Sequence, residues 1–164
     1  MIPFRRILVP HDFSDPADGA LAFAAGLIPP NGRVLVLHVV VPFVPVTDIP
    51  PAGISTYIAP GELIDGARRQ LERTVAKVLP GKRAARVESK VVIGDPYQRI
   101  MDAARGMDAI VMSTAGRTGL SHLLIGSVTE KVVRHSPIPV LTLRGGAARK
   151  ARRARKRTSR AAAR

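Results

Sequence analysis

Short apolar runs rich in Val, Ile and Leu alternate with segments of helical period as far as residue 144, and this alternation narrows the possible folds more than any other feature. Residues 5–10 (RRILVP), 33–41 (RVLVLHVVV), 85–94 (ARVESKVVIG), 107–113 (MDAIVMS) and 138–144 (IPVLTLR) have the length and content of strands. After the first comes Ser14, suited to cap a helix, with Pro16 in the first turn and Ala17, Leu21, Ala24 and Ile28 along one face. A second helical segment, from about Glu62 to Leu79, turns Leu63, Ala67, Leu71, Val75 and Val78 inward and stops at Pro80-Gly81. Asp95-Pro96 opens a third, with Ile100, Ala103 and Ala104 inward and Gly106 closing it, and residues 127–136 form the last. A β-α-β-α-β-α-β-α-β order with right-handed crossovers makes an α/β protein, an open five-stranded parallel sheet with helices on both faces. The run at 33–41 suits a strand covered on both sides, whereas 85–94 alternates at first and belongs nearer an edge. Ligands of such sheets bind beyond the carboxyl ends of the strands, where strand order reverses, so the loops after the first four strands are where function is expected.

The core must be aliphatic, because hydrophobic residues make up 46% of the chain and aromatic ones only 4%. Cysteine is absent, which removes disulfides and thiolate metal sites and fits a reducing compartment. The first strand begins too early to leave room for the apolar centre of a signal peptide, and no later apolar stretch approaches ~18 residues, so a cytoplasmic protein without a membrane span is expected. Residues 145–164 hold nine Lys or Arg and no acid, leaving a net charge of +5 on the rest of the +14 chain. The expected organisation is one domain over residues 1–144 and a basic, unpacked tail over 145–164.

Chemistry concentrates at residues 113–127, STAGRTGLSHLLIGS, between the fourth strand and the last helix. Ser127-Val128-Thr129-Glu130 has the form of a capping box, a purely structural device. The same first turn also offers unpaired N–H groups and the positive end of a helix dipole to a phosphate, with Gly116 and Gly126 permitting close backbone approach and Arg117 adding charge. Both readings fit the residues. The familiar phosphate motifs are missing: Gly126-Ser127 is not part of G-x-x-x-x-G-K-[ST], and VPHDFSD after the first strand is not G-x-G-x-x-G.

Over roughly residues 5–144 the chain resembles a single-domain universal stress protein. The resemblance is carried by ILVPHDFSD, by the IGDP step, and by Gly116, nine residues (RTGLSHLLI) and Gly126-Ser127, within GRTGLSHLLIGSVTEKVVRHSPIPVL. The family's ATP-binding members place a further glycine where this chain has Ser113. The fold implied is the adenine nucleotide alpha hydrolase-like α/β architecture, and the ligand implied is ATP, with or without Mg. On that resemblance adenine lies against Pro10, Asp12 and Val39, ribose passes near Gly94 and Ser113, and the phosphates rest on Gly116, Gly126, Ser127, Val128 and Thr129. The function implied is a nucleotide-dependent regulator or sensor rather than an enzyme. The alternatives are a nucleotide-independent interaction protein and a slow ATPase.

The four histidines, His11, His38, His122 and His135, are scattered and show no metal spacing. His11, next to Asp12, is the best placed for acid-base work, but no nucleophile pairs with it. Residues 41–61 carry five prolines and follow the second strand at the ligand edge, where they form either a passive loop or a lid in which Phe43 and Tyr57 are suited to cover a ring. Two partner surfaces are expected. The last strand ends the sheet, and by resemblance Val140 to Leu143 pair with a second copy in a homodimer. The tail, which lacks aromatic residues, suits weak, sequence-indifferent contact with nucleic acid or another polyanion.

Overall fold

The computed structural model describes residues 4–41, 60–114 and 125–144. Strand β1 (Arg6–Pro10) leads to helix α1 (Asp15–Leu27), β2 (Arg33–Val40), α2 (Pro60–Val78), a 3-10 turn (Gly81–Arg86), β3 (Val87–Ile93), α3 (Pro96–Ala104), β4 (Ala109–Ser113), α4 (Ser127–His135) and β5 (Val140–Leu143). The five strands form one parallel sheet in the order β3-β2-β1-β4-β5. The chain winds outward from β1 to β3, then crosses back to place β4 on the other side of β1. Strand order reverses there, so the crevice that such a sheet offers a ligand lies at the carboxyl ends of β1 and β4.

Alternate residues of each strand feed two cores. Ile7, Val9, Val34, Val36 and Val111 pack with Leu21, Ala24, Leu71 and Val75 of α1 and α2. Leu8, Leu37, Ile110 and Met112 pack with Ile100, Ala104 and Val132 of α3 and α4. Ile7, Leu8 and Val9 are wholly buried because β1 is covered on both faces and paired on both edges. β3, whose alternation marked it for an edge, is an edge strand.

Local signals set the helix starts. Ser14 caps α1, its Oγ accepting the Ala17 N–H at 3.3 Å. Asp95 caps α3 by accepting the Gln98 N–H at 2.9 Å. Gly106, at φ 78, follows the end of α3 in the left-handed conformation that glycine supplies at least cost. Two expectations change. Leu63, assigned inward on α2, is 38% exposed, because the first half of α2 stands over a cavity beside the sheet and only the second half packs on it. The 127–130 capping box does not form. Gly126 is the N-cap and has no side chain to offer, Ser127 is already the first helical residue, and Glu130 turns to Arg134 at 3.0 Å. Among the described residues no helix is long and apolar enough to cross a membrane.

Candidate functional site

At the carboxyl edge the end of β1 makes a tight turn through His11, Asp12 and Phe13 into α1. Asp12 Oδ1 accepts both the N–H and the O–H of Ser14, so this carboxylate braces the cap of α1. Phe13 holds φ 65, and its ring lies 4.2 Å from that of His38 on β2. The His38 Nδ1–H donates to the His11 carbonyl at 2.7 Å, which ties the turn to β2. A cavity of about 890 Å³ opens beside this turn, lined by Asp12, Phe13, His38 and Val40 on one side and by α2 residues including Glu62, Asp65 and Arg69 on the other.

On the far side of β1, the end of β4 is stitched to the start of α4. Gly126 N–H donates to the Thr114 carbonyl at 2.9 Å, and Thr129 Oγ1 donates to the Ser113 carbonyl at 3.0 Å. Thr129 is buried, and its hydroxyl proton is committed to that carbonyl. The Glu130 N–H begins the intrahelical ladder on the Gly126 carbonyl at 2.9 Å. The N–H groups of Ser127, Val128 and Thr129 therefore precede the ladder, and among the described residues no side chain caps them. Donors that precede the helical ladder and a helix dipole of the same sense favour an anion at this turn.

The positions singled out in the sequence divide as follows. Pro10, Asp12, Gly94, Ser113 and Gly126 to Thr129 all lie at the carboxyl edge, on three strand ends and one helix start. Val39 points into the core shared with α3, while its neighbour Val40 lines the cavity. Gly94 follows β3, and with strands about 4.8 Å apart its position is about 14 Å from the end of β4 across the sheet. A ligand touching both must be elongated. Of the proposed contacts only Asp12 lines the large cavity, so that cavity and the β1/β4 crevice meet at Asp12 rather than coincide. Gly116, Arg117, Phe43, Tyr57 and His122 lie outside the described residues, as does the tail.

Sequence reasoning missed the Phe13 and His38 pair. Their contact joins the turn after β1 to β2, and the only sequence signal was a ring at residue 38 in an otherwise aliphatic strand. His11, the acid-base candidate, is buried, with Nδ1 accepting the Phe13 N–H at 3.0 Å and Nε2 lying 3.2 Å from Asp18 Oδ1. That second approach is misaligned for a hydrogen bond. Burial pushes the imidazole below its ordinary range, against the upward pull of Asp18 and then Asp12. Among the described residues no three His, Cys, Asp or Glu side chains converge as metal ligands.

An all-parallel sheet reversing at β1, with a helix start beside the reversal, defines the class: an open, doubly wound α/β protein with a crevice at its switch point. Comparison with known proteins narrows the class to a family. The profile of the Universal stress protein family matches residues 3–144, and the chain belongs to that family. It is 33% identical over 147 residues to a universal stress protein of Thermus aquaticus, covering 86% of this chain and 99% of that one. It is 30% identical over 158 residues to universal stress protein MJ0577 of Methanocaldococcus jannaschii, covering 87% and 96%. The solved structure of MJ0577 superimposes with a TM-score of 0.67 over 87% of this chain and 96% of that one, at 25% identity. Universal stress protein UspA from Lactobacillus plantarum gives 0.66 over 88% and 100%, also at 25% identity.

Proposed function

We propose that this protein binds ATP at the β1/β4 crevice and acts, without turnover, as a nucleotide-dependent regulator whose occupied surface is read by partners. The observation that carries the reading is Gly126. Its φ of −59 is open to any residue, and a Cβ there would meet nothing closer than the Thr114 carbonyl at 3.7 Å among the described residues. Among the described residues neither backbone nor packing calls for glycine, whereas a phosphate approaching the first turn of α4 does. The phosphates would rest on the N–H groups of Ser127, Val128 and Thr129, joined by Gly116 and Arg117, with Mg arriving as their counter-ion. Adenine would lie toward Pro10, Asp12 and Val39, and ribose between Gly94 and Ser113. The elongated shape required by the 14 Å separation of strand ends suits a nucleoside polyphosphate. The burial of His11 against Asp18 supports a binding role over hydrolysis, since its ring is withheld from any ligand.

The test is calorimetry. ATP should bind the wild-type protein, and Gly126→Val should abolish binding while circular dichroism stays unchanged. Wild-type protein that takes up no ATP at millimolar concentration would overturn the reading. Ser113, standing where the family's ATP-binding members have glycine, favours the second reading, a nucleotide-independent interaction protein. Ser113→Gly separates the two, since it should tighten ATP binding only if a ligand passes there. Assembly as a homodimer along Val140 to Leu143, a polyanion contact by the 145–164 tail and a cytoplasmic location complete the proposal.

A further inference from the structure

His11 is 4% exposed, a depth at which an ionisable ring is uncommon without a role. Three of the four polar groups of this residue are spent on hydrogen bonds that fix the turn. Its N–H donates to the Leu37 carbonyl at 2.8 Å, its carbonyl accepts from His38 Nδ1, and its own Nδ1 accepts the Phe13 N–H. The last contact assigns the tautomer, because a ring nitrogen that accepts carries no proton. The proton of the neutral ring is thus on Nε2, facing Asp18. Phe13, two residues on, is the single non-glycine residue with positive φ among those described, a conformation costing roughly 1–2 kcal/mol for an L-residue. Between His11 and Phe13 stands Asp12, whose carboxylate braces Ser14 and through it the start of α1.

We propose that His11 is a positioning residue that locks the Asp12 turn only while its imidazole is neutral, so that acid unlocks the turn and weakens binding of the nucleotide that Asp12 contacts. The proposal rests on the nucleotide reading above. Protonation places a hydrogen on Nδ1, which then confronts the Phe13 N–H as donor against donor. The bond is lost, and Phe13 loses a contact that holds it in the left-handed region. The charged groups around the ring set where this happens. Asp12 in the turn and Asp18 on α1 favour the cation, and His38 on β2 opposes it. Lys77 of α2, 3.3 Å from the other oxygen of Asp18, dilutes that carboxylate's pull, while Glu62, Asp65 and Arg69 of α2 face the cavity farther out. Burial is the largest influence and keeps the ring neutral below the ordinary histidine range. Affinity should be flat near neutrality and fall as pH drops through the lowered His11 value, by up to about tenfold per pH unit for a single linked proton.

His11→Asn offers an amide oxygen near the position of Nδ1 and does not protonate in this range. ATP affinity should be measured from about pH 8 to about pH 4 on wild-type, His11→Asn and His11→Ala proteins side by side, since the titration of ATP itself is then common to all three. The Asn variant is expected to bind at the alkaline end like wild type and to resist acid where wild type weakens about tenfold per unit, with the Ala variant weak throughout. Parallel wild-type and Asn curves would overturn the lock. A second readout needs no ligand. Nitrogen-15 spectra of histidine-labelled protein should show His11 Nδ1 unprotonated at neutral pH, with the Phe13 amide shifting as that nitrogen titrates in acid. A protonated Nδ1 at neutral pH would overturn the proposal. Absence of ATP binding in all three proteins would defeat the nucleotide reading and with it the link to affinity, leaving the spectra to decide the lock itself.

Discussion

Gly94 and Gly126 stand at the same edge of the sheet and owe their identity to different causes. Gly94 has φ 144, and a Cβ there would lie 2.7 Å from Arg99 Nε, whose own bond to the Ile93 carbonyl at 3.0 Å keeps the guanidinium in place. Gly94→Ala should therefore cost about 1–3 kcal/mol in a urea titration through backbone strain alone. Gly126→Ala meets no such barrier and should leave stability unchanged or raise it by up to about 1 kcal/mol, while weakening ATP binding. Equal destabilisation by the two would remove the argument that Gly126 is kept for a ligand. Asp108 offers a pH test remote from the site. The N–H groups of Arg6 and Arg5 donate to its Oδ2 at 2.7 Å each and hold its carboxyl below the usual carboxylate range. A group whose proton affinity is lower folded than unfolded contributes stability that is present above its unfolded pKa and lost as pH falls through the folded one. Asp108→Asn should flatten the acid limb of melting temperature against pH below about pH 4, with little dependence near neutrality.

Elements whose signals are local were legible in the sequence, and those completed by distant residues were not. Ser14 and Asp95 each satisfy an N–H three residues ahead, so side chain, proline and apolar spacing declared α1 and α3 before any tertiary contact was known. Two placements in the sheet also followed from pattern, since the alternation of β3 marked an edge and the nearly continuous apolar content of β2 a strand covered on both faces. At α4 the same kind of signal misled. Ser127 and Glu130 have capping-box spacing, but Gly126 takes the cap position because its N–H is fixed to Thr114 and Thr129 is drawn to Ser113, both contacts with another strand. The Phe13 and His38 contact and the exposure of Leu63 were hidden for the same reason. Of the candidate site, the strand ends and the first turn of α4 were legible, while the lock around Asp12 was not. β5 carries the prediction at this scale. It is a four-residue edge strand with its outer side unpaired among the described residues, and light scattering at tens of micromolar should find a dimer that Leu141→Pro dissociates. A wild-type monomer under those conditions would contradict pairing along Val140 to Leu143.

For the whole molecule, charge and site are distributed unequally. Nine of the 26 Lys and Arg residues fall in the last twenty positions, whereas the candidate site uses none of them. Removing residues 145–164 should abolish affinity for nucleic acid, and the intact protein's affinity should fall steeply with salt and ignore base sequence. ATP affinity should survive the deletion. A truncated protein that folds but loses ATP, or that still holds DNA, would mean that domain and appendage are divided in the wrong place.

The order β3-β2-β1-β4-β5 also bears on how the chain is made. β1 is synthesised first yet occupies the middle of the sheet, so one of its edges is filled by β2 within the first 40 residues and the other waits until Ala109–Ser113 has left the ribosome. Until then a strand whose centre is wholly buried in the finished protein presents an open hydrogen-bonding edge, with Ile7 and Leu8 beside the vacant place. Chains terminated between β3 and β4 should therefore precipitate or recruit chaperones where chains stopped after β5 do not. Closure of the sheet and completion of the crevice would then be one late event in translation.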